Sequence, residues 1–112
     1  LKKASIIVAT TGTSIFESSI YQKPVIQLGD LSISQLLPNV FFHNHFSTLG
    51  EKILAVMENF VFDEDSEKCL TAFIAAIYDT GYPIDYGGAV YHGRDLDVIW
   101  EAYKHEISRL MN

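Results

Sequence analysis

The chain has 112 residues, room for one ordinary domain, and its 48% hydrophobic content excludes a disordered segment. Fourteen acidic against eight basic residues leave a formal charge of −6, and the basic residues form no run longer than two, which argues against a nucleic-acid-binding surface. One cysteine excludes an internal disulfide and any multi-cysteine zinc site.

Ser5 to Thr10 is a continuous apolar, β-branched run, the pattern of a strand buried on both faces of a parallel sheet. Thr11-Gly12-Thr13 reads as a turn. Ser14 and Glu17 stand at capping-box spacing, which predicts a helix from Ser14 to about Gln22 burying Ile15, Phe16, Ser19 and Ile20. Pro24 stops that helix, and Val25 to Gly29 is the next strand, completing a βαβ unit. Asp30 to Asn39 is expected to be a surface loop with a helical turn around Ser34 to Leu37, followed by a short strand at Val40 to His43.

The remainder is read as helical. A helix starting at Ser47 places Leu49, Ile53, Val56, Met57 and Phe60 on one face. Asp63-Glu64-Asp65 suits the positive end of a helix dipole, and the helix that follows spans roughly Ser66 to Tyr78 with Leu70, Phe73, Ile74 and Ile77 inward. Cys69 lies in this run and is read as a small buried hydrophobe. Gly81 to Gly93 is a Gly- and Tyr-rich loop, and its Tyr82, Tyr86 and Tyr91 read as packing residues or, alternatively, as a carbohydrate platform. Asp95 to Leu110 is the last helix, where Leu96, Ile99, Trp100, Tyr103, Ile107 and Leu110 read as core or as a seam against another domain.

No apolar stretch approaches the roughly 18 residues needed to span a bilayer, and a cytoplasmic location is expected. A strand-like run starts almost at once with no initiator Met, and two or three parallel strands leave bare edges. The chain is therefore expected to be the C-terminal portion of a longer protein. The His43/His45 pair lacks a third ligand nearby in sequence, and His105-Glu106 is followed by Arg109 where a zinc-protease motif requires a second His, so no metal site is expected. His105 reads as a helix-surface residue.

The Thr-Gly-Thr-Ser junction gathers unpaired backbone amides where a strand hands over to a helix, a point that attracts phosphate. Spacing alone leaves two readings open, a capped helix with no ligand and an anion seat. "TGTSIFESSIYQKPVIQLGD" resembles the hallmark stretch in the C-terminal domain of GT-B nucleotide-sugar glycosyltransferases, particularly the capsular polysaccharide biosynthesis branch, and more distantly UDP-N-acetylglucosamine 2-epimerases. "GDLSISQLLPNVF" is similar to the continuation in the capsule branch, so the resemblance covers about residues 4 to 42.

The resemblance implies a partial Rossmann-like α/β fold, a parallel sheet with flanking helices and a helical C-terminal part. It implies that Gly12, Thr13 and Ser14 contact the diphosphate of a nucleotide-sugar donor and that Glu17 accepts hydrogen bonds from ribose hydroxyls. Asp30 reads as a solvated loop acid or, alternatively, as a residue approaching the sugar or acceptor. No cofactor and no divalent metal are implied. The partners implied are the donor, a glycan or lipid-linked acceptor and an N-terminal GT-B domain, at the inner face of the membrane and with room for a homo-oligomer. The acceptor site and catalytic base belong to that other domain, so this chain is not expected to be active alone. The alternatives are a 2-epimerase-like sugar-nucleotide enzyme and a non-catalytic module that recruits partner strands.

Overall fold

A computed structural model describes residues 1–30, 33–82, 92–93 and 96–111. The chain divides into two compact units, Leu1–Ala76 and Ile77–Asn112. The first unit holds β1 (Ile7–Ala9), α1 (Thr13–Ile20), β2 (Val25–Gln27), a 3-10 turn (Ile33–Leu36), β3 (Val40–Phe42), a second 3-10 turn (Phe46–Thr48), α2 (Leu49–Asn59) and most of α3 (Glu64–Thr80). The second holds the last turn of α3 and α4 (Leu96–Met111). No helix among the described residues is long and apolar enough to cross a membrane.

The strands form one parallel sheet in the order β1-β2-β3, with Ile7, Val25 and Val40 in one row and Val8, Ile26 and Phe41 in the next. Side chains alternate between faces along a strand, so these rows point to opposite sides. On the first side Ile15 of α1, Val25 and Leu37 form the core, joined by Ile7, Ala9, Phe16, Val40, and Leu70 and Phe73 of α3. The rings of Phe16 and Phe73 stack with centroids 6.2 Å apart. On the other side Phe41 meets the edge of Phe60 at 6.0 Å and lies under the Lys52 ammonium, which places α2 there. Helices therefore cover both faces of β2, and all three of its residues are buried.

The expectation that the first strand is buried on both faces is not met. β1 is only three residues long, and Val8 is 42% exposed. It is an edge strand, and α2 lies over the β3 side of the sheet. The burial expected at positions 5–10 is found instead on the central strand.

A polar clasp holds α1 against this sheet. Ser19 Oγ donates to Asn39 Oδ1 at 2.6 Å, and Asn39 Nδ2 donates to the Lys23 carbonyl at 2.7 Å. The Asn39 carbonyl accepts the Val25 N–H at 2.9 Å. Ser18, Ser19 and Asn39 are fully buried, and the two small serines let α1 lie close on the strands.

α1 ends earlier than the Pro24 signal predicts, and Ile20 is 67% exposed rather than buried. Gln22 takes φ 53, while its N–H bonds the Ser19 carbonyl and the Lys23 N–H bonds the Ser18 carbonyl. This is the Schellman pattern, which ordinarily places glycine at the left-handed position. The buried stripe is therefore Ile15, Ser18 and Ser19, with Phe16 half-buried.

α3 starts at Glu64, two residues before the predicted Ser66, because Asp63 caps it. Asp63 Oδ1 accepts the Ser66 N–H at 2.9 Å and the Ser66 hydroxyl at 2.8 Å. The backbone bond from Ser66, followed by its hydroxyl, holds the Asp63 carboxyl below its ordinary value. Cys69 is exposed, contrary to expectation, and its Sγ lies 3.6 Å from the Leu36 carbonyl. Ile74 and Ile77, expected inward, are also exposed, as are Trp100, Tyr103, Ile107 and Leu110 of α4. The predicted loop at 81–93 falls, from 83 to 91, outside the described residues, and so do Tyr86 and Tyr91.

Replacing Asn39 by Ala leaves the Lys23 carbonyl without its partner, while Ser19 keeps a long bond to the Ile15 carbonyl at 3.4 Å. The expected loss is about 1–3 kcal/mol in urea unfolding. Gln22→Gly removes a left-handed non-glycine residue and is expected to stabilise the chain by about 1 kcal/mol in the same measurement.

Candidate functional site

The candidate site is the junction between β1 and α1. β1 delivers the chain to its carboxyl end, where Leu28 N–H takes the Ala9 carbonyl at 2.8 Å and ties the end of β1 to β2. Gly12 then turns the backbone at φ 120, ψ 169 and is the N-cap of α1. A Cβ at Gly12 would meet only Ser14 Oγ, at 3.9 Å, so the requirement for glycine comes from the backbone conformation and not from crowding.

The capping box predicted from Ser14 and Glu17 is not formed. α1 begins at Thr13, its cap residue has no side chain, and no side-chain bond caps its amides. Ser14 is the second helical residue, where a hydroxyl no longer reaches the orphan donors. Its carbonyl instead accepts a bond from the buried Ser18 hydroxyl. Among the described residues the N–H groups of Thr13 and Ser14 find no acceptor, and the first N–H to find one is Ile15, on the Gly12 carbonyl at 3.2 Å.

No acidic side chain stands in the first turn of α1, so the positive end of its dipole is uncompensated. Gly12 and Thr13 are exposed and Ser14 is half-buried. Thr13 and Glu17 are four residues apart on the same exposed helix face. Glu17 lines a shallow hollow of about 390 Å³ with Leu1, Lys2, Lys3 and Tyr21. The Lys2 ammonium sits 5.6 Å from the centre of the Tyr21 ring. The four predicted residues thus share one helix, three at its open end and the fourth a turn away beside the lysines. Asp30 is exposed.

Sequence reasoning missed Gln27. It lies at the carboxyl end of β2, paired in register with Ala9, and is fully buried. Ser34 Oγ donates to Gln27 Oε1 at 2.5 Å, whereas Gln27 Nε2 is buried with no partner among the described residues. A lone polar residue in the Val25-Ile26-Gln27-Leu28 run was the available signal. Away from this junction, His43 Nε2 is 2.7 Å from the His45 carbonyl and 3.2 Å from Thr48 Oγ1. His43 and His45 do not converge on a common point: their rings meet edge to face at 6.3 Å.

The described residues define a mixed α/β protein with an open three-stranded parallel sheet and four helices, an arrangement compatible with part of a Rossmann-like fold. No protein-family model, no curated protein and no solved structure matches the chain.

Ser14→Ala should cost under about 0.5 kcal/mol in urea unfolding, because its hydroxyl caps nothing. A functional capping box would cost about 1 kcal/mol on the same change. Gly12→Ala should cost more, about 1–3 kcal/mol, from the positive φ alone.

Proposed function

We propose that this chain is the nucleotide-sugar-binding half of a GT-B glycosyltransferase for capsule or surface-polysaccharide synthesis, with Gly12, Thr13 and Ser14 on the donor diphosphate and Glu17 on the ribose. One observation carries the reading: among the described residues the amides of Thr13 and Ser14 have no acceptor at the exposed N-terminus of α1, just past the carboxyl end of a parallel strand. Ligands of open α/β sheets bind at that end of the strands, and helix N-termini receive phosphate. The resemblance of residues 4 to 42 to the capsule branch supplies the family.

In this reading the reaction is displacement at the anomeric carbon with the nucleoside diphosphate leaving. Negative charge grows on the leaving phosphate, and the two free amides, the Thr13 hydroxyl and the helix dipole offset it. Gly12 keeps a Cβ away from the approaching phosphate. Glu17 accepts hydrogen bonds from vicinal hydroxyls and needs no metal to do so. The acceptor, a glycan or lipid-linked saccharide, and the catalytic base belong to an N-terminal GT-B domain.

The test is calorimetric titration of the protein with a panel of nucleoside diphosphates and their sugars, and with inorganic pyrophosphate. Gly12→Val should weaken both ligand classes by about tenfold or more, through backbone strain at the seat. Glu17→Ala should weaken the nucleotides by about tenfold and leave pyrophosphate unchanged, since it acts on the ribose alone. Nucleotide binding that neither change affects would remove the assigned site.

A further inference from the structure

The second unit contains a cluster of chemically active side chains that the α1 site does not use. Gly81 ends α3 by donating its N–H to the Ile77 carbonyl at 2.8 Å. A Cβ at this glycine would come within 2.6 Å of the same oxygen, so the chain can leave the helix in this direction only without a side chain. Tyr82 follows immediately. Its hydroxyl donates to Glu106 Oε1 at 2.9 Å and lies 2.8 Å from His105 Nδ1. Arg109 holds the other carboxylate oxygen, with Nε and Nη2 both 2.8 Å from Glu106 Oε2.

One tautomer of His105 satisfies both contacts of the Tyr82 hydroxyl. A phenol has one proton, and here it goes to Glu106. The bond to a neutral His105 then requires hydrogen on Nδ1, which leaves Nε2 as a lone-pair acceptor. Hydrogen bonds from Tyr82 and then Arg109 keep the Glu106 carboxyl below its ordinary value, while desolvation, followed by the bond to Glu106, raises the Tyr82 phenol. Arg109 directs two of its five N–H groups at Glu106.

These side chains, with Asp79 and Thr80, line a hollow of about 410 Å³. A neighbouring hollow of about 400 Å³ shares Gly81 and Tyr82 and is walled by Ile77 and Tyr78, whose side chain is 84% exposed. One side is polar and planar, the other aromatic and aliphatic.

We propose that the paired hollows around Tyr82 form a binding site for a neutral saccharide. Charge decides against the other ligand classes. Asp79 and Glu106 oppose an anion, Arg109 opposes a simple cation, and no group of three metal-binding side chains occurs among the described residues. A pyranose is uncharged, with an apolar C–H face for the tyrosine side and vicinal hydroxyls for the polar side. Asp79 and His105 Nε2 accept from those hydroxyls and Arg109 donates to them. The hollow volumes fall in the roughly 300–1,000 Å³ range of small-molecule clefts. The site is independent of the diphosphate seat on α1.

The experiment is heteronuclear NMR of the chain titrated with neutral trisaccharides of glucose, galactose, mannose and N-acetylglucosamine. At least one should bind at about millimolar strength and shift the resonances of Tyr78, Tyr82 and His105. Tyr78→Ala, at a residue too exposed to support the fold, should weaken it about fivefold. Tyr82→Phe keeps the ring, frees His105 and Glu106 from their mutual orientation, and should also weaken it. No shift from any of the four at about 20 mM, or shifts insensitive to both substitutions, would overturn the proposal.

Discussion

A single buried carboxamide determines where α1 can lie. Asn39 accepts from Ser19 near the end of α1, donates to the carbonyl of Lys23 in the turn that follows, and through its own carbonyl takes the Val25 N–H that opens β2. The side chain thus ties the end of α1 to the turn that follows, with both its polar atoms satisfied, and the backbone of the same residue holds the start of β2. In a low-dielectric interior such a junction is costly to break and tolerates little rearrangement. It fixes the carboxyl end of the helix; Gly12, at a φ that side chains rarely adopt, fixes the other. Between these anchors Ile15, Ser18 and Ser19 lie flat on the sheet. The direction of the two free amides is a consequence of the clasp at the far end of the helix.

The order of elements was legible in the sequence because it rests on strong local signals. Apolar runs, a small-residue turn and Pro24 define the βαβ unit, and helical periodicity finds α2, α3 and α4 within a few residues. What was not legible depends on competition between such signals. Ser14 and Glu17 have capping-box spacing, yet Gly12 admits a backbone turn that starts the helix earlier and makes the template irrelevant. No glycine marks the Schellman end, because Gln22 takes the left-handed conformation that glycine normally fills. Polar core residues were invisible for a related reason. Gln27, Ser34 and Asn39 are fully buried, but a polar residue reveals its burial only when its partner is known, and Ser19 stands 20 positions from Asn39.

The same limit applies to side chains at the candidate sites. Gly12, Thr13, Ser14 and Glu17 could be proposed together from the resemblance because one turn and one helix contain them all. His105, Glu106 and Arg109 are close in sequence, and the i,i+3 pairing of Glu106 with Arg109 is readable from spacing. The contact that gives them meaning comes from Tyr82, 23 positions away. Reading His105 as a surface residue was accurate about exposure and silent about the bond. Periodicity in α4 likewise identifies an apolar stripe without saying whether it is buried, and Trp100 and Tyr103 are exposed.

Electrostatics separates the two sites more sharply than shape does. A chain of formal charge −6 is a poor anion receptor at long range. At physiological ionic strength, however, charges beyond about 8 Å are largely screened, so the groups within hydrogen-bonding reach decide. At the N-terminus of α1 those groups are two backbone donors with no acid in the first turn, and Glu17 sits a full turn along the helix. Around Tyr82 they include two carboxylates against one guanidinium. An anion is favoured by the first environment and repelled by the second, whereas an uncharged polyol gains nothing from a helix dipole and much from planar acceptors beside an aromatic face. On the two proposed assignments, one acidic chain would discriminate between charged and neutral ligands without a basic patch, using backbone amides for the first and mutually oriented side chains for the second.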